Sequence, residues 1–201
     1  MAGRPRKGEP TLNLDKIIQI AWQLVDREGL DGLSTRKLAA ELNVKGPALY
    51  WHFKNKDQLL NLMMEQALEG TIAAAPDSLP WPEWMLTVGR QQRLTLLSHR
   101  DSGFIAVRAE PTSRLREEVF ESAVQRLMKA GFNRVDAAWA FGGLARIVLG
   151  SVLYEQNPHT RAFAAAFGNP AMQFEYALGA YVRGLQAAHL ARAGEILANR
   201  T

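Results

Sequence analysis

A short run of the chain brings together side chains of the kind that bind phosphate groups and nucleic-acid bases. Tyr50, Trp51 and His52 follow one another and carry polar tips on large rings, and Lys54 and Lys56 come directly after them. Hydroxyl and ring N–H groups donate hydrogen bonds to phosphate oxygens, and ammonium groups bind the same oxygens electrostatically. The alternative is that Tyr50 and Trp51 are core aromatics and the lysines only face solvent. The elements that precede this run favour the nucleic-acid interpretation.

Two short helices joined by a tight turn are predicted at this place. Ser34 or Thr35 can cap the first helix through a side-chain oxygen. Apolar residues then recur at helical spacing on one face of that helix, at Leu38, Ala39 and Leu42. The spacing predicts one buried face and one exposed face.

The turn and the second helix have equally specific signals. Asn43 tolerates the left-handed conformation that ends a helix. Gly46 and Pro47 begin the next helix, because proline suits a first helical position, where its missing N–H would have had no partner. Asn55, three residues before Gln58, forms a capping box that begins a further helix, so the second helix is about two turns long. The sequence therefore predicts a helix-turn-helix.

Such a second helix fits the major groove of B-DNA, with its first residues towards the base edges. Gly46 and Ala48 are small, so the backbone can come close and a methyl group is available to thymine. We therefore predict DNA contacts from the capping residues, the second helix and the aromatic and basic run that follows: Thr35, Arg36, Lys45, Gly46, Pro47, Ala48, Tyr50, Trp51, His52, Lys54 and Lys56.

The first twelve residues are predicted to form a basic, extended arm. Arg4, Arg6 and Lys7 lie close together there, and proline disfavours helix for the residue before it. Arginine on such an arm is attracted into the narrow minor groove of A·T tracts, although a solvated basic tail is an equal alternative. Six of the seven lysines lie in the first 56 residues, which places positive charge where DNA would bind.

Composition limits the class of protein. The chain has 201 residues, of which 47% are hydrophobic, and its net charge is +4. With no cysteine it has no disulfide, no thiolate nucleophile and no cysteine-based zinc site. No segment reads as a signal peptide or as long and apolar enough to span a membrane. We expect a cytoplasmic protein that does not bind membranes.

Periodicity predicts an all-α fold with two domains. Residues 13–58 form a three-helix DNA-binding domain that contains the helix-turn-helix, residues 59–76 a connecting fourth helix, and residues 77–201 a larger helical domain. Further helices are predicted at about Pro82 to Ser98, Gly103 to Ala109, Thr112 to Ala130, Val135 to Glu155, and Pro170 to Leu197, with a loop from Asn157 to Asn169 that holds a short alanine-rich piece.

The run from Leu49 to Lys56, LYWHFKNK, resembles the signature of the TetR family of transcriptional regulators. The similarity continues through Leu14 to Glu28, Thr35 to Ala39, and Leu59-Leu60. In the second half, similarity to the tetracycline-repressor branch of the family is carried by Leu96 to Asp101, Pro111-Thr112, Gly131-Phe132 and Leu149-Gly150. The resemblance implies a repressor that binds a palindromic operator as a homodimer and is released by a small organic effector.

The resemblance also implies which helices form the dimer. In the family, helices 8 and 10 of each subunit make a four-helix bundle, and here they correspond to Val135–Glu155 and Pro170–Leu197. Both carry small residues that favour close helix approach, although ordinary packing within one chain is the alternative: Gly142, Gly143, Ala145, Gly150, Gly179, Ala180, Gly184, Ala187 and Ala188. A two-fold dimer predicts operator half-sites about one helical turn of DNA or more apart.

The effector pocket implied by the resemblance lies among the middle helices of the second domain. Apolar walls with few polar groups are typical of organic ligand sites. The candidate lining residues, many of which could equally be plain core residues, are Trp84, Val88, Gln92, Leu96, Ala106, Ser122, Phe141 and Leu144.

Two positions depart from the tetracycline-repressor pattern. That branch holds a tetracycline–magnesium complex through a histidine and a glutamate, and the corresponding positions here are Ala106 and Tyr154, with Glu155 next to the second. Without imidazole and carboxylate a metal-chelated ligand loses its anchors. We predict no metal site and no cofactor, and an effector other than metal-bound tetracycline.

An enzyme is not expected. No nucleophile with a base, paired-carboxylate site or phosphate loop is convincingly spaced. His99, Arg100 and Asp101 are adjacent and do not face one another on a helix, so we expect them to tie the end of helix five to its surroundings. The remaining alternative is a helical interaction protein, or a small-molecule-binding protein, that does not bind an operator.

Overall fold

The computed structural model describes residues 12–198, which form helices and turns without a β-strand. The all-α prediction is confirmed. The first domain consists of α1 (Leu14–Glu28), a 3-10 turn (Leu30–Gly32), α2 (Thr35–Glu41), α3 (Gly46–Leu49) and α4 (Lys56–Leu68). The second consists of α5 (Trp81–Leu97), α6 (Ser102–Arg108), α7 (Ser113–Leu115), a π-helical segment (Arg116–Glu121), α8 (Ser122–Lys129), α9 (Arg134–Gln156), α10 (Pro158–Ala166) and α11 (Pro170–Ala198).

Capping side chains set the helix starts of the first domain. Asn13 accepts a hydrogen bond from the N–H of Lys16 at 2.9 Å, and Ser34 caps α2. Asn55 accepts from the N–H of Gln58 at 2.8 Å, which confirms the predicted cap before α4. Because each cap satisfies a backbone donor at the helix end, the chain enters each helix at a defined residue.

The α2–α3 turn has the predicted geometry. Asn43 adopts a left-handed conformation with φ of 53°, and the N–H of Val44 bonds the carbonyl oxygen of Ala39 at 2.9 Å. The second helix is shorter than predicted, since regular α3 ends at Leu49. Hydrogen-bonded turns replace its second half and lead to Phe53.

A buried face of α1 joins α2 and α4 into one unit. Ile17, Ala21 and Val25 are fully buried, and α1 packs against α2 and α4. Fully burying such a side chain contributes about 2 kcal/mol. Apolar packing therefore holds α2 and α3 at a fixed angle. We call α1–α3 the reading unit and α3 the reading helix.

The connecting helix is shorter than the predicted range 59–76. It begins at Lys56 and ends at Leu68, and Gly70 then takes a positive φ of 77°. Turns follow as far as Pro80. The loop predicted before the last helix also differs, because its alanine-rich piece forms the nine-residue helix α10.

The centre of the second domain is α9, which packs against α5, α6, α8, α10 and α11. Within residues 12–198, α9 is the helix that is long and apolar enough to cross a membrane, with a mean hydropathy of 1.4. This corrects the prediction that no such segment exists. The alanine, valine, leucine and isoleucine residues that give α9 this hydropathy are those of a helix that packs on several neighbours.

Candidate functional site

The aromatic run after α3 divides into buried and exposed side chains. Leu49 and Phe53 are buried in the core of the first domain, whereas Tyr50 is 55% and Trp51 is 91% exposed. The core interpretation of Tyr50 and Trp51 is therefore wrong for this structure. An almost fully exposed tryptophan beside a buried phenylalanine leaves its ring available to an external partner.

The start of α3 is open on its outer side. Lys45 and Pro47 are exposed, and Ala48 is half-buried. A Cβ atom added at Gly46 would meet no atom of residues 12–198 within 4 Å. The glycine is therefore not required by packing inside the chain, and it leaves room for a body that approaches from outside.

The other predicted DNA-binding side chains lie at two depths. Arg36 and Lys54 are exposed, whereas Thr35 and His52 are half-buried. Arg4, Arg6 and Lys7 lie outside the described residues.

Lys56 is turned towards the protein. Its Nζ donates a hydrogen bond to the carbonyl oxygen of Leu30 at 3.1 Å. Burial, and then the nearby positive charge of Arg108, lower the pKa of Lys56. In this position the ammonium group joins α4 to the turn after α1, rather than standing on the exposed face with Lys54.

The turn between α5 and α6 ties the second domain to α1. Asp26 accepts hydrogen bonds from His99 Nδ1 at 3.0 Å and from the Arg100 N–H at 2.9 Å. The His99 ring stacks on Trp22 with centroids 4.2 Å apart, and Asp101 accepts from the Leu30 N–H at 2.8 Å. The predicted tying role is confirmed, and the structure adds that the partner is the reading unit.

An apolar cavity of about 500 Å³ lies between the two domains' helices. Its walls come from α4, α5, α6, the α6–α7 connection, the π-helical segment and α9. The lining residues are Met64, Leu68, Gln92, Leu96, Ala106, Ala109, Glu110, Pro111, Leu115, Arg116, Val119, Phe120, Phe141, Ala145, Val148 and Leu149.

The structure sorts the predicted effector residues into three groups. Four of them line this cavity: Gln92, Leu96, Ala106 and Phe141. Trp84 and Ser122 line a neighbouring cleft beside the π-helical segment. Val88 and Leu144 are fully buried between helices, as the core alternative held. Sequence reasoning missed the contributions of α4 and the α6–α7 connection, whose apolar residues carried no signal of a ligand wall.

The two positions that depart from the tetracycline-repressor pattern are clearly placed. Ala106 lines the cavity and Tyr154 is exposed. Glu155 receives two hydrogen bonds from Arg93 Nη2, both at 2.8 Å, and one from Ser151 Oγ at 2.9 Å. Its carboxylate is therefore already neutralised and is absent from the cavity wall. In residues 12–198 no three histidine, aspartate or glutamate side chains are grouped to hold a metal ion.

Residues 108–114 run along α4 and bond to it at regular intervals; we name this segment the strap. Arg108 pairs with Asp57 at 3.2 Å, and the Glu110 N–H bonds Asn61 Oδ1 at 2.9 Å. Two further contacts join Thr112 Oγ1 to Glu65, and Arg114 to both Glu65 and Glu69. The α4 partners recur every four residues, and the strap partners every two.

The strap thus has two sides. Ala109, Glu110 and Pro111 line the cavity, while Arg108, Thr112 and Arg114 bond the exposed side of α4. Because α4 begins only a few residues after α3, the cavity wall and the reading helix are joined through one helix.

The outer faces of α9 and α11 are unusually apolar. Large exposed side chains on them are Val135, Trp139, Tyr154, Met172, Tyr176 and Leu190. A Cβ added at Gly150 or Gly184 would meet nothing within 4 Å, whereas one at Gly143 would clash with Tyr181 of the same chain. Packing within the chain therefore accounts for Gly143 but not for Gly150 and Gly184.

Both domains match known sequence families. The family described as bacterial regulatory proteins, tetR family, matches residues 17–63, and the family described as tetracyclin repressor-like, C-terminal domain, matches residues 75–181.

The chain is similar to the tetracycline repressor protein class E of Escherichia coli, at 36% identity over 72% of this chain and 69% of that protein. It is also similar to the class A repressor from transposon 1721 of Escherichia coli, at 32% identity over 87% of this chain and 90% of that protein.

Solved structures agree. A TetR variant of Acinetobacter baumannii AYE in complex with minocycline matches with a TM-score of 0.78 and 31% identity, over 89% of this chain and 99% of that one. ActR of Streptomyces coelicolor in complex with actinorhodin matches with a TM-score of 0.77 and 27% identity, over 89% of this chain and 97% of that one. Taken with the exposed reading unit and the cavity, these matches show that the chain belongs to the TetR family of bacterial regulatory proteins.

Proposed function

We propose that this protein is a cytoplasmic repressor that binds a palindromic operator as a homodimer and leaves it when a small organic effector enters the apolar cavity. Membership of the family makes it a ligand-responsive DNA-binding regulator. The observation that carries the specific proposal is the strap, because the same segment forms a wall of the cavity and bonds the helix that follows the reading helix.

In this proposal the DNA-binding unit is residues 13–58, and α3 lies in the major groove. Gly46 and Ala48 face base edges, and Lys45, Tyr50 and Lys54 bind phosphates on either side. The exposure of the aromatic run and the open space at Gly46 support this assignment. Lys56 acts mainly by positioning α4.

We assign dimerisation to α9 and α11, the helices at the family's positions 8 and 10. Their exposed aromatic side chains and open glycines form a surface that a second copy can cover. A two-fold pair presents two reading helices, so the operator is palindromic with half-site centres about 34 Å or a multiple apart.

Release follows from differential binding of the effector to two conformations. An occupied cavity changes the position of Ala109 to Pro111, the strap moves α4, and the separation of the two reading helices no longer fits both half-sites. The bonds between the strap and α4 support this route.

The effector is not metal-bound tetracycline in this proposal, although several relatives are tetracycline repressors. The cavity has an alanine at position 106, and Arg93 occupies the carboxylate of Glu155. Isothermal titration with tetracycline and magnesium tests this directly, and submicromolar binding would contradict it.

Selection of bound duplexes from random DNA tests the proposed function as a whole. We expect the selected duplex to be palindromic and its affinity to fall steeply with salt. A compound screen should then find molecules that release the protein from this duplex. Replacing Tyr50 by alanine should abolish binding of that duplex while the dimer persists. Unchanged affinity would instead favour a helical protein that does not bind an operator.

A further inference from the structure

Among residues 12–198, the cavity has one buried polar side chain without a hydrogen-bond partner from the protein. Gln92 on α5 is only 5% exposed and lines the cavity, and no described residue hydrogen bonds its amide. Within residues 12–198, no polar side-chain atom is fully enclosed without a partner. The Gln92 amide therefore opens onto the cavity space, where its hydrogen-bonding capacity is unused by the protein.

An unused amide in an apolar wall is costly unless something binds it, because burial removes the hydrogen bonds that water would supply. The other buried polar side chains of the described chain are satisfied. Thr71 and Ser102 donate to backbone carbonyl oxygens, and Arg93 is paired with Glu155. Gln92 differs from all three in facing a space large enough for an organic molecule.

The rest of the cavity restricts the charge of its occupant. Thirteen of the sixteen lining residues are apolar, and the polar ones besides Gln92 are Glu110 and Arg116. These two have opposite charges and exposed side chains, so they belong to the rim. A charged group placed deep in the cavity would find no counter-charge, and its desolvation would oppose binding.

We propose that the effector is an uncharged, largely apolar molecule with one carbonyl group that accepts a hydrogen bond from Gln92 Nε2. This rests on the proposed function, in which the cavity is the effector site. The apolar walls supply most of the affinity, and the amide of Gln92 selects the carbonyl compound over the matching hydrocarbon.

A pair of probes with one skeleton tests the assignment: 9-fluorenone, which has the carbonyl group, and fluorene, which lacks it. Both are titrated against the full-length protein by tryptophan fluorescence and calorimetry. We expect the wild type to bind fluorenone more tightly. The variant Gln92→Leu keeps the size of the side chain and should lose roughly tenfold in fluorenone affinity while binding fluorene at least as well.

The adjacent glutamine provides a matched control. Gln91 is half-buried, bonds Thr95 Oγ1 at 3.4 Å and does not line the cavity. Gln91→Leu should leave the affinity for both probes unchanged. A second variant, Gln92→Asn, keeps the amide one carbon further from the cavity and should fall between wild type and Gln92→Leu in its preference for fluorenone.

Equal losses for both probes in Gln92→Leu, or a wild type that does not distinguish or does not bind the two probes, would overturn the assignment. Operator binding is measured separately with the selected duplex. If the Gln92-dependent preference is found but the probes never release DNA, the ligand class stands and the effector role of the cavity fails. If the protein binds no operator, the proposed function fails independently of the probe result.

Discussion

At the residue level, Gly46 is a position where the folded protein has room for a side chain but the proposed contact with DNA does not. No atom of residues 12–198 lies within 4 Å of a Cβ at this position, and the backbone there needs no positive φ. A larger side chain therefore fits the isolated protein. If α3 enters the major groove, that side chain would instead fill the gap between backbone and bases.

Gly46→Leu should accordingly lower operator affinity at least tenfold while the protein still folds cooperatively, because an added Cβ meets no atom of residues 12–198 within 4 Å. Fluorescence anisotropy with the selected duplex and thermal unfolding measure the two effects. Ala162→Leu, an exposed change on α10, serves as control. An unaltered affinity in Gly46→Leu would place the duplex elsewhere.

Phosphate contacts at Lys45 and Lys54 have a different signature. Each lysine that binds phosphate releases a counterion from DNA, and the dimer carries two copies of it, so Lys45→Ala or Lys54→Ala should make the slope of log affinity against log salt less negative by about 1.8. The control is Lys129→Ala, at an exposed lysine on α8 in the second domain, and it should leave the slope as in wild type. The slope is measured between about 50 and 200 mM salt.

At the level of elements, the strap owes its bonds to a match of two repeats. Four residues of α4 advance about 6.0 Å, and two residues of the extended stretch between α6 and α7 advance about 6.6 Å. Arg108 and Arg114 lie in α6 and α7 at the two ends of that stretch. Asp57, Asn61, Glu65 and Glu69 therefore meet every second residue of the strap in register. In the proposed mechanism this match makes α4 and the cavity wall move together.

Arg114→Ala tests the coupling, since it removes the ion pairs to Glu65 and Glu69 that end the strap. The test uses a compound from the screen that releases the operator. We expect the affinity of this compound for Arg114→Ala to differ less than about twofold from its affinity for the wild type. The ratio of operator affinities without and with that compound should fall about fivefold or more.

A comparable surface pair supplies the control for this test. Arg90 binds Glu175 bidentately, at 2.7 to 3.0 Å, and joins α5 to α11 away from α4. Arg90→Ala should leave the ratio intact. A normal ratio in Arg114→Ala would show that the signal does not pass through this end of the strap.

Sequence patterns predicted the elements better than their mutual contacts. The cap residues Asn13, Asn43 and Asn55 act locally, so their effect on helix bounds was readable. The π-helical segment within the predicted helix at 112–130 was not, because its apolar spacing differs little from that of an α-helix. The strap was also hidden, since its partners lie about fifty residues away along the chain.

The candidate sites follow the same division. The aromatic and basic run was readable because its members are neighbours in sequence. The inward turn of Lys56 depends on Leu30, and the capture of Glu155 depends on Arg93, and neither pairing has a local signal. Four of the eight predicted cavity residues line the cavity, and they lie on α5, α6 and α9, while the lining residues on α4 were missed.

At the level of the whole molecule, the exposed face of α9 and α11 has to be explained. Large apolar side chains such as Trp139, 72% exposed, and Tyr176, 76% exposed, lie on the same two helices as Gly150 and Gly184, where an added Cβ would meet no atom of residues 12–198 within 4 Å. A face of this kind is typical of an interface between subunits, where small residues admit a neighbouring helix. The two-fold pairing that results would also bring two reading units to one operator.

Gly150→Leu and Gly184→Leu should convert the protein to monomers, because each adds a side chain in the space that the partner's helix would occupy. Neither meets an atom of its own chain within 4 Å at the Cβ, so the protomer should fold and unfold as cooperatively as before. Light scattering after size exclusion gives the mass. Operator affinity should collapse with it, since one reading unit binds only one half-site.

Alanine at the same two positions gives the matched comparison. Its single methyl group leaves most of the space free, so Gly150→Ala and Gly184→Ala should remain dimeric and bind the operator. A dimer of unchanged mass and affinity in both leucine variants would move the interface to another face. Monomers that bound a palindromic operator with wild-type affinity would contradict the proposal that operator binding requires a dimer, because each reading unit would then bind without a second subunit.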